Sequence, residues 1–169
     1  MKRAYIKIIC CLLGVFCNSA EATSIEYGLD NLGGSRYEYE YKITNDTLAM
    51  QIKEFTIWFD VDLYDNLDIT TQQPLKGNWN EIILQDTGFG VPIGYDGLAQ
   101  NVGILSTETL SGFSVSFDWL GTGTPNSQFF EIIDPVTFRT IDSGFTKPIP
   151  EPAALMLISL GYLLSRRRT

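Results

Sequence analysis

Apolar and polar side chains alternate along three stretches between residues 23 and 147. In the first, Tyr37, Tyr39, Tyr41 and Ile43 are interleaved with charged or hydroxyl-bearing side chains, and the same period of two recurs in residues 55–61 and 113–119. Because successive side chains of a β-strand point to opposite faces, this period predicts strands with one buried face. Nothing of helix length in this region shows the 3.6-residue period of an amphipathic helix.

Shorter strand candidates complete the pattern, and turn-forming residues separate them. These candidates are residues 24–29, 80–84, 102–105, 128–133 and 136–141. Seven to nine short antiparallel strands in two packed sheets fit this spacing best, so we predict an all-β sandwich of jelly-roll or immunoglobulin-like type over residues 23–147. The predicted inner faces comprise Tyr39, Tyr41, Phe55, Ile57, Phe59, Ile82, Val115, Phe117, Phe130 and Ile132.

The residue inventory excludes several kinds of chemistry. The chain of 169 residues has no histidine, and its three cysteines all precede residue 23. Catalytic Cys or His, a Ser-His-Asp triad and His/Cys zinc sites are therefore excluded from the sandwich. Residues 23–150 hold 18 of the 20 acidic residues but 6 of the 12 basic residues, a net charge of −12. This charge repels phosphate backbones, so we expect no nucleic-acid partner.

The first 22 residues have the three-part layout of a secretory signal peptide. A basic start that includes Lys2 and Arg3 precedes an apolar run over residues 8–16, and the segment ends with Ala20 and Ala22 on either side of Glu21. This small-x-small end predicts cleavage after Ala22 by signal peptidase, following export by the secretion machinery. An uncleaved anchor is disfavoured because the apolar run is about half of the ~20 residues that a spanning helix needs.

The last 22 residues form a separate tail, residues 148–169. Pro148, Pro150 and Pro152 disfavour regular structure, and an almost wholly apolar run follows over residues 153–164. That run would make a helix of about 18 Å, short of the ~30 Å hydrocarbon core, so it predicts a marginal membrane span. Arg166, Arg167 and Arg168 then act as a stop that holds this end in the cytoplasm and places the acidic domain across the membrane.

Pro150, Glu151 and Pro152, the apolar helix and the terminal arginine cluster, together with a signal peptide, resemble a PEP-CTERM sorting tail. The resemblance covers about the last twenty residues. It implies that an exosortase is a partner, that Pro150-Glu151-Pro152 is the recognition motif and that Arg166 to Arg168 are a retention signal. It also implies that the tail holds the protein briefly in the inner membrane before the domain reaches the cell surface or the extracellular medium.

Four aspartates close in sequence raise the question of a metal site. Asp60, Asp62, Asp65 and Asp68 could supply hard oxygen ligands for Ca²⁺. An EF-hand loop is excluded because its glycine and glutamate positions hold Asp65 and Thr71. A looser calcium site remains one interpretation, and a solvated acidic turn that discourages edge-to-edge strand pairing is the other. We predict no further cofactor.

Aromatic side chains suggest a different kind of site. Trp58 lies on the strand phase opposite Phe55 and Phe59, and residues 88–97 are predicted to form a glycine-rich loop that carries Tyr95. Because aromatic faces offer apolar area to the C–H side of a sugar ring, Trp58 and Tyr95 are candidate glycan contacts. A core position is the alternative for each.

Our leading hypothesis is an exported, exosortase-processed surface or extracellular-matrix protein without catalytic activity. A carbohydrate-binding module for exopolysaccharide is one alternative. A carboxylate-based glycoside hydrolase is the other, since carboxylates are abundant although no sequence pattern pairs them.

Overall fold

The computed structural model describes residues 23–46, 48–85 and 92–150. This part of the chain forms short β-strands and a single helical turn. Their bounds are β1 Thr23–Gly33, β2 Arg36–Asn45, β3 Glu54–Phe59, β4 Tyr64–Ile69, α1 Leu75–Asn78, β5 Trp79–Leu84, β6 Ile93–Ala99, β7 Thr109–Trp119, β8 Phe129–Asp134, β9 Arg139–Phe145 and β10 Lys147–Pro148.

The strands pair into two five-stranded sheets. Sheet 1 has the order β10-β1-β2-β7-β4, and sheet 2 has the order β5-β6-β3-β8-β9. Neighbouring strands are antiparallel, except that the two-residue strand β10 pairs in parallel with β1. The predicted all-β, two-sheet sandwich is therefore confirmed.

Strand β2 shows how the alternating sequence produces this arrangement. Tyr39, Tyr41 and Ile43 are fully buried, whereas Glu40 and Lys42 between them point away from the core. Each buried side chain contributes about 1.5–3 kcal/mol relative to an exposed one, and a one-residue shift in register would bury the charges instead. The pattern thus fixes both the strand and its inner face.

Aromatic rings from both sheets meet in the core. The rings of Tyr39 and Phe117 stack with centroids 4.9 Å apart, and Phe55 of sheet 2 meets Phe113 of sheet 1 edge to face at the same distance. Such pairs add about 0.5–1.5 kcal/mol beyond the burial of their area. Nine of the ten predicted inner-face residues are buried: Tyr39, Tyr41, Phe55, Ile57, Phe59, Val115, Phe117, Phe130 and Ile132.

The tenth prediction, Ile82, is wrong. Its side chain is 43% exposed because Trp79 at the start of β5 is buried, which sets the inward phase of this strand one residue away from Ile82. Residues on β5 that share the phase of Trp79 include Glu81. Because Glu81 is polar but shares the inward phase of Trp79, the apolar pattern of β5 indicated the wrong inner face.

Some strand boundaries also differ from the prediction. Within residues 102–105, only Ile104 forms an isolated bridge, with Ile52, and residues 93–97, predicted as part of a loop, belong to β6. The predicted strand over residues 136–141 begins three residues later, after a turn. Strand β4 was not predicted because its exposed positions, Asp65, Asn66 and Asp68, interrupt the apolar alternation.

The domain ends at an edge of sheet 1. After β10, the backbone N–H of Ile149 donates to the carbonyl of Tyr27 at 2.8 Å. Pro150, the last described residue, follows this hydrogen bond directly. No helix in the described ranges has the length and apolar character that a bilayer crossing requires.

Candidate functional site

Three aromatic side chains lie side by side on the outer face of sheet 2. Trp58 on β3 pairs with Phe129 on β8, and Phe129 pairs with Phe145 on β9. Directly paired residues of neighbouring strands project from the same face, so these rings form a row across three strands, hereafter the aromatic row. Phe129 is 39% exposed and Phe145 is 64% exposed, and their ring centroids are 5.6 Å apart.

A glycine on the next strand gives Trp58 its place on the sheet surface. Gly94 on β6 is the register partner of Trp58, and a Cβ atom there would lie 3.1 Å from Trp58 Cζ3 and 2.9 Å from Leu84 Cδ1. The missing side chain therefore leaves room for the indole beside Leu84. The predicted outward position of Trp58 agrees with the structure, in which this residue is partly exposed.

Glu131 fixes the indole. Trp58 Nε1 donates to Glu131 Oε2 at 2.9 Å, and the hydroxyl of Thr140 donates to Glu131 Oε1 at 2.7 Å. The carboxylate on β8 is thus held from β3 on one side and from β9 on the other. Since a carboxylate has about four acceptor positions, these two bonds leave capacity to accept hydrogen bonds from a ligand.

Two more carboxylates lie on the same face. The hydroxyl of Thr56 donates to Asp96 Oδ1 at 2.7 Å, and burial raises the pKa of Asp96 although this hydrogen bond acts in the opposite direction. Burial is also the main cause that raises the pKa of Glu54, and the negative charges of Asp96 and Asp134 add to it. Both shifts show that the ionised forms of Glu54 and Asp96 lack full compensation for their lost hydration.

A cavity of about 680 Å³, hereafter the end pocket, opens where β3 and β8 meet the end of the sandwich. Trp58 and Phe129 contribute to its wall, so it adjoins the aromatic row. The other lining residues are Phe59, Asp60, Val61, Leu63, Tyr64, Pro92, Asn126, Ser127 and Gln128. The row and the pocket therefore form one continuous, mainly apolar surface.

Buried hydrogen bonds stiffen the wall of the end pocket. Gln128 Nε2 donates to the hydroxyls of Tyr39 at 2.7 Å and Tyr64 at 3.1 Å, and the hydroxyl of Tyr41 donates to Gln128 Oε1 at 3.2 Å. Burial raises the pKa of all three tyrosines, so they stay neutral hydrogen-bonding groups. This network joins strands of sheet 1 to the start of β8 and holds Phe129 in position.

Tyr95 is not part of this surface, and its prediction as a glycan contact is wrong. The side chain is fully buried, and its hydroxyl donates a hydrogen bond to Glu81 Oε1. The hydroxyl of Thr71 donates to the same oxygen at 2.6 Å. Because residues 93–97 form a strand rather than a loop, Tyr95 shares the inward phase of its register partner Ile57.

The four aspartates of the predicted calcium site are not brought together. Asp60 Oδ1 accepts from the backbone N–H of Asp62 at 2.9 Å, and Asp65 Oδ1 accepts from its neighbour Asn66 at 2.8 Å. The register of β4 shifts between Asp65 and Asp68. In the part of the chain that the structure describes, no group of three or more His, Cys, Asp or Glu residues could hold a metal ion. The structure thus favours the solvated acidic turn over the calcium site.

Two other pockets bear on the hydrolase alternative. One lies around Trp79, Ile104 and Glu108, and the other lies around Met50, Ile133 and Asp134. Each of these pockets has one lining carboxylate, and the end pocket has Asp60 alone. None of the three presents the two facing carboxyl groups on which glycosidases rely.

The residues predicted for export and sorting lie almost entirely outside the described residues. These are Ala20, Ala22, Glu151, Pro152, Arg166, Arg167 and Arg168, together with the predicted span over residues 153–164. Pro150 alone is described, at the end of the domain.

Sequence reasoning missed Phe129, Phe145 and Glu131. Phe129 and Phe130 are adjacent, so they point to opposite faces of the strand. The prediction of Phe130 as an inner-face residue did not reveal that Phe129 belongs to an aromatic row on the outer face. Phe145 lies beyond the strand predicted over residues 136–141. Long-range register, which brings Phe129 opposite both Trp58 and Phe145, carries no local sequence signal.

Comparison with known proteins gives similarity of fold only. No family model and no curated protein matches the chain. Among solved structures, a family 3b carbohydrate-binding module from the biomass-sensing system of Clostridium clariflavum aligns with 68% of this chain and 93% of its own, at 9% identity and a TM-score of 0.45.

A second similar structure is a GH20 exo-β-N-acetylglucosaminidase from Vibrio harveyi, solved in complex with N-acetylglucosamine. It aligns with 77% of this chain at 6% identity and a TM-score of 0.40, but this chain spans 18% of its length. Both proteins share few residues with this chain.

Proposed function

We propose that this is an exported surface protein, not an enzyme, whose β-sandwich binds polysaccharide on the outer face of sheet 2. The aromatic row is the observation that carries the proposal. Exposed apolar patches on a protein surface mark interaction sites, and the C–H faces of sugar rings match flat aromatic surfaces. Neighbouring strands are about 4.8 Å apart, so the row from Trp58 to Phe145 extends over about 10 Å, which suits consecutive sugars of a chain.

Polar groups beside the row suit sugar hydroxyls. Glu131 keeps free acceptor capacity, and Thr140 and Ser143 on β9 are exposed on its flank. A few fixed polar groups around an apolar surface are the usual arrangement of a ligand site. The hydrogen bond from Trp58 to Glu131 holds both side chains before a ligand arrives, which lowers the entropy cost of binding.

The test uses the full chain, purified in detergent, against immobilised polysaccharides. We expect Trp58→Ala to abolish retention on the glycan that binds the unaltered protein. Phe145→Ala should weaken binding by about 1 kcal/mol, roughly fivefold in Kd. The matched control is Phe138→Ala, which removes a phenyl group that is 80% exposed in the turn between β8 and β9, outside the row. Equal losses for Phe145→Ala and Phe138→Ala, or silence across a broad glycan panel, would contradict the proposal.

The proposal includes the route of export. It comprises a signal peptide over residues 1–22, a sorting tail over residues 148–169 with a short transmembrane helix, and processing by an exosortase. The position of Pro150 supports it, because the last described backbone hydrogen bond of the domain involves Ile149 and the Pro-Glu-Pro motif begins at the next residue. A processing enzyme would therefore meet the motif outside the sheet.

Mass spectrometry of the protein from cells and medium tests this route. We expect a species that begins at Thr23 and ends near Pro150, and accumulation of a longer species when Glu151 is replaced by Ala. An intact Arg168-Thr169 terminus in every fraction would contradict processing.

We also propose that the sandwich has jelly-roll connectivity. Strand β2 pairs with β7 and strand β3 pairs with β6, so the chain from β2 to β4 is matched by its return from β5 to β7. Such nested pairing across two sheets is the arrangement of a jelly roll.

A further inference from the structure

The outer face of sheet 2 combines the aromatic row with negative charge. Thr56 lies two residues before Trp58 on β3 and projects from the same face. It pairs with Glu131 on one side and with Asp96 on the other, so both carboxylates lie next to the aromatic row. Glu54 lies a further step along β3. Glu54 and Glu131 are partly exposed and Asp96 is 8% exposed, so three negative charges lie beside the aromatic row, two of them at the surface.

These carboxylates have no cationic partner within the described ranges. Their hydrogen-bond donors are the hydroxyls of Thr56 and Thr140 and the indole of Trp58. The two salt bridges of the described residues both involve strands of sheet 1. Burial raises the pKa of both Asp96 and Glu54, which is the signature of ionised groups that would gain from an added positive charge.

We infer that the polysaccharide bound on this face carries protonated amino groups, as in a hexosamine polymer whose amines are not acetylated. This inference rests on the proposed function and names its ligand class. Ammonium groups on sugars stacked along the aromatic row would supply the counter-charges that Glu131, Asp96 and Glu54 lack. They would also meet the aromatic faces favourably, because cations are attracted to the rings of Trp and Phe.

The charge of the domain argues against acidic polysaccharides. Residues 23–150 have a net charge of −12, so a uronic-acid or sulfated chain is repelled before contact and again at the face itself. A neutral glycan can stack on the aromatic row and donate hydroxyl hydrogen bonds to Glu131, but it supplies no counter-charge to the three carboxylates. An amine-bearing glycan gains from both features.

The experiment compares two ligands with the same sugar backbone, one with charged free amines and one with neutral N-acetyl groups. The full chain is titrated with a glucosamine oligosaccharide that has free amines and with the same oligosaccharide fully N-acetylated, at about pH 6, where ordinary carboxylates are ionised. Attraction to the three nearby carboxylates predicts that the free-amine ligand binds about tenfold more tightly. This preference should shrink at about 1 M salt, where the screening length is about 3 Å.

Matched variants assign the preference to this face. Glu54→Gln, which leaves the hydrogen bond between Trp58 and Glu131 in place, should reduce the tenfold preference to about fivefold while stacking on the aromatic row persists. The control is Glu40→Gln, which removes a charge of the same kind from an exposed position on the outer face of sheet 1 and should leave the preference unchanged. Thermal unfolding of each variant checks that the sandwich is retained.

The outcomes separate the two proposals. Equal binding of the free-amine and N-acetylated oligosaccharides, or tighter binding of an oligouronate, would overturn the inference and leave polysaccharide binding in place. If neither ligand binds and a panel of neutral glycans is also silent, both proposals fail.

Discussion

The outer faces of the two sheets differ in how their charged side chains are paired. On sheet 1, Lys42 Nζ lies 2.5 Å from Glu26 Oε2, and Arg36 Nη1 lies 3.4 Å from Asp118 Oδ1. On sheet 2, the corresponding contacts join an indole and hydroxyl groups to carboxylates, and aromatic rings remain exposed. Sheet 1 therefore neutralises part of its own charge, whereas sheet 2 retains both apolar area and unpaired negative charge.

This difference indicates which face of the sandwich has side chains suited to a ligand. An inner face is constrained by packing, so both sheets carry aromatic and branched side chains there. An outer face needs only solubility, and the salt-bridged surface of sheet 1 meets that need. Phe145 is 64% exposed, and burial raises the pKa of Glu54, so neither position follows from packing or solubility alone, and a binding role accounts for both.

The largest expected effect comes from a pair of glycines, one on each outer face. Gly94→Ala places a methyl group 2.9 Å from Leu84 Cδ1 and 3.1 Å from Trp58 Cζ3, so we expect a loss of stability of about 1 kcal/mol and weaker glycan binding as the indole shifts. Gly28→Ala on β1 is the matched control. The nearest atom to its new methyl is the carbonyl oxygen of Glu40 at 4.0 Å, so stability should be unchanged or slightly higher.

Urea unfolding and glycan titration of both variants measure this difference. Equal losses of stability would show that the outer faces respond alike to a methyl group. Retained binding in Gly94→Ala would show that the position of Trp58 against Gly94 does not matter for the site.

The sequence was sufficient for most inner-face positions and insufficient for the outer face of sheet 2. The alternation around Tyr39 and Phe55 predicted buried positions because burial of large side chains is a local, periodic requirement. The outward direction of Trp58 followed from the same phase. Its neighbours in the aromatic row could not be predicted, because Phe129 and Phe145 reach it through pairings between strands that are distant in the chain.

The wrong predictions share one physical cause. The prediction for Tyr95 rests on the glycine-rich sequence around it, and the prediction for Ile82 rests on its apolar character. The direction of a side chain on a strand depends instead on its register with the neighbouring strands. Tyr95 follows Ile57 into the core, and Ile82 lies opposite the outward Asp96. The aspartates near Asp60 were grouped by sequence distance, whereas the turn after β3 and the register shift in β4 separate them.

A smaller expected effect is an opposite pH dependence on the two faces. The pKa of Asp96 is raised above 3.8 chiefly by burial, so the folded state holds its proton at a pH where the unfolded state has lost it. Its contribution to stability therefore falls as pH rises through the folded-state pKa, and Asp96→Asn should stabilise the protein most near neutral pH. The pKa of Asp118 on sheet 1 is lowered, first by the hydrogen bond from Asn66 and also by Arg36.

The contribution of Asp118 has the reverse sign. It is present above the unfolded value of 3.8 and is lost as pH falls through the lowered folded-state pKa, so Asp118→Asn should destabilise the protein near neutral pH but have no effect under strong acid. Urea unfolding of both variants from about pH 3 to about pH 7 measures the two profiles. If the stability changes of Asp96→Asn and Asp118→Asn varied with pH in the same direction, the two outer faces would not differ in their electrostatics.

The smallest expected effect is removal of a salt bridge from sheet 1. The side chains of Lys42 and Glu26 are 39% and 25% exposed, so solvent screens their attraction, and Lys42→Ala should cost less than about 1 kcal/mol. The cost should fall further at high salt, and glycan binding should not change, because Lys42 lies on the opposite face from the aromatic row. A change in Kd for Lys42→Ala as large as that for Phe145→Ala would mean that the ligand contacts both faces, and the functional division between the sheets would then be wrong.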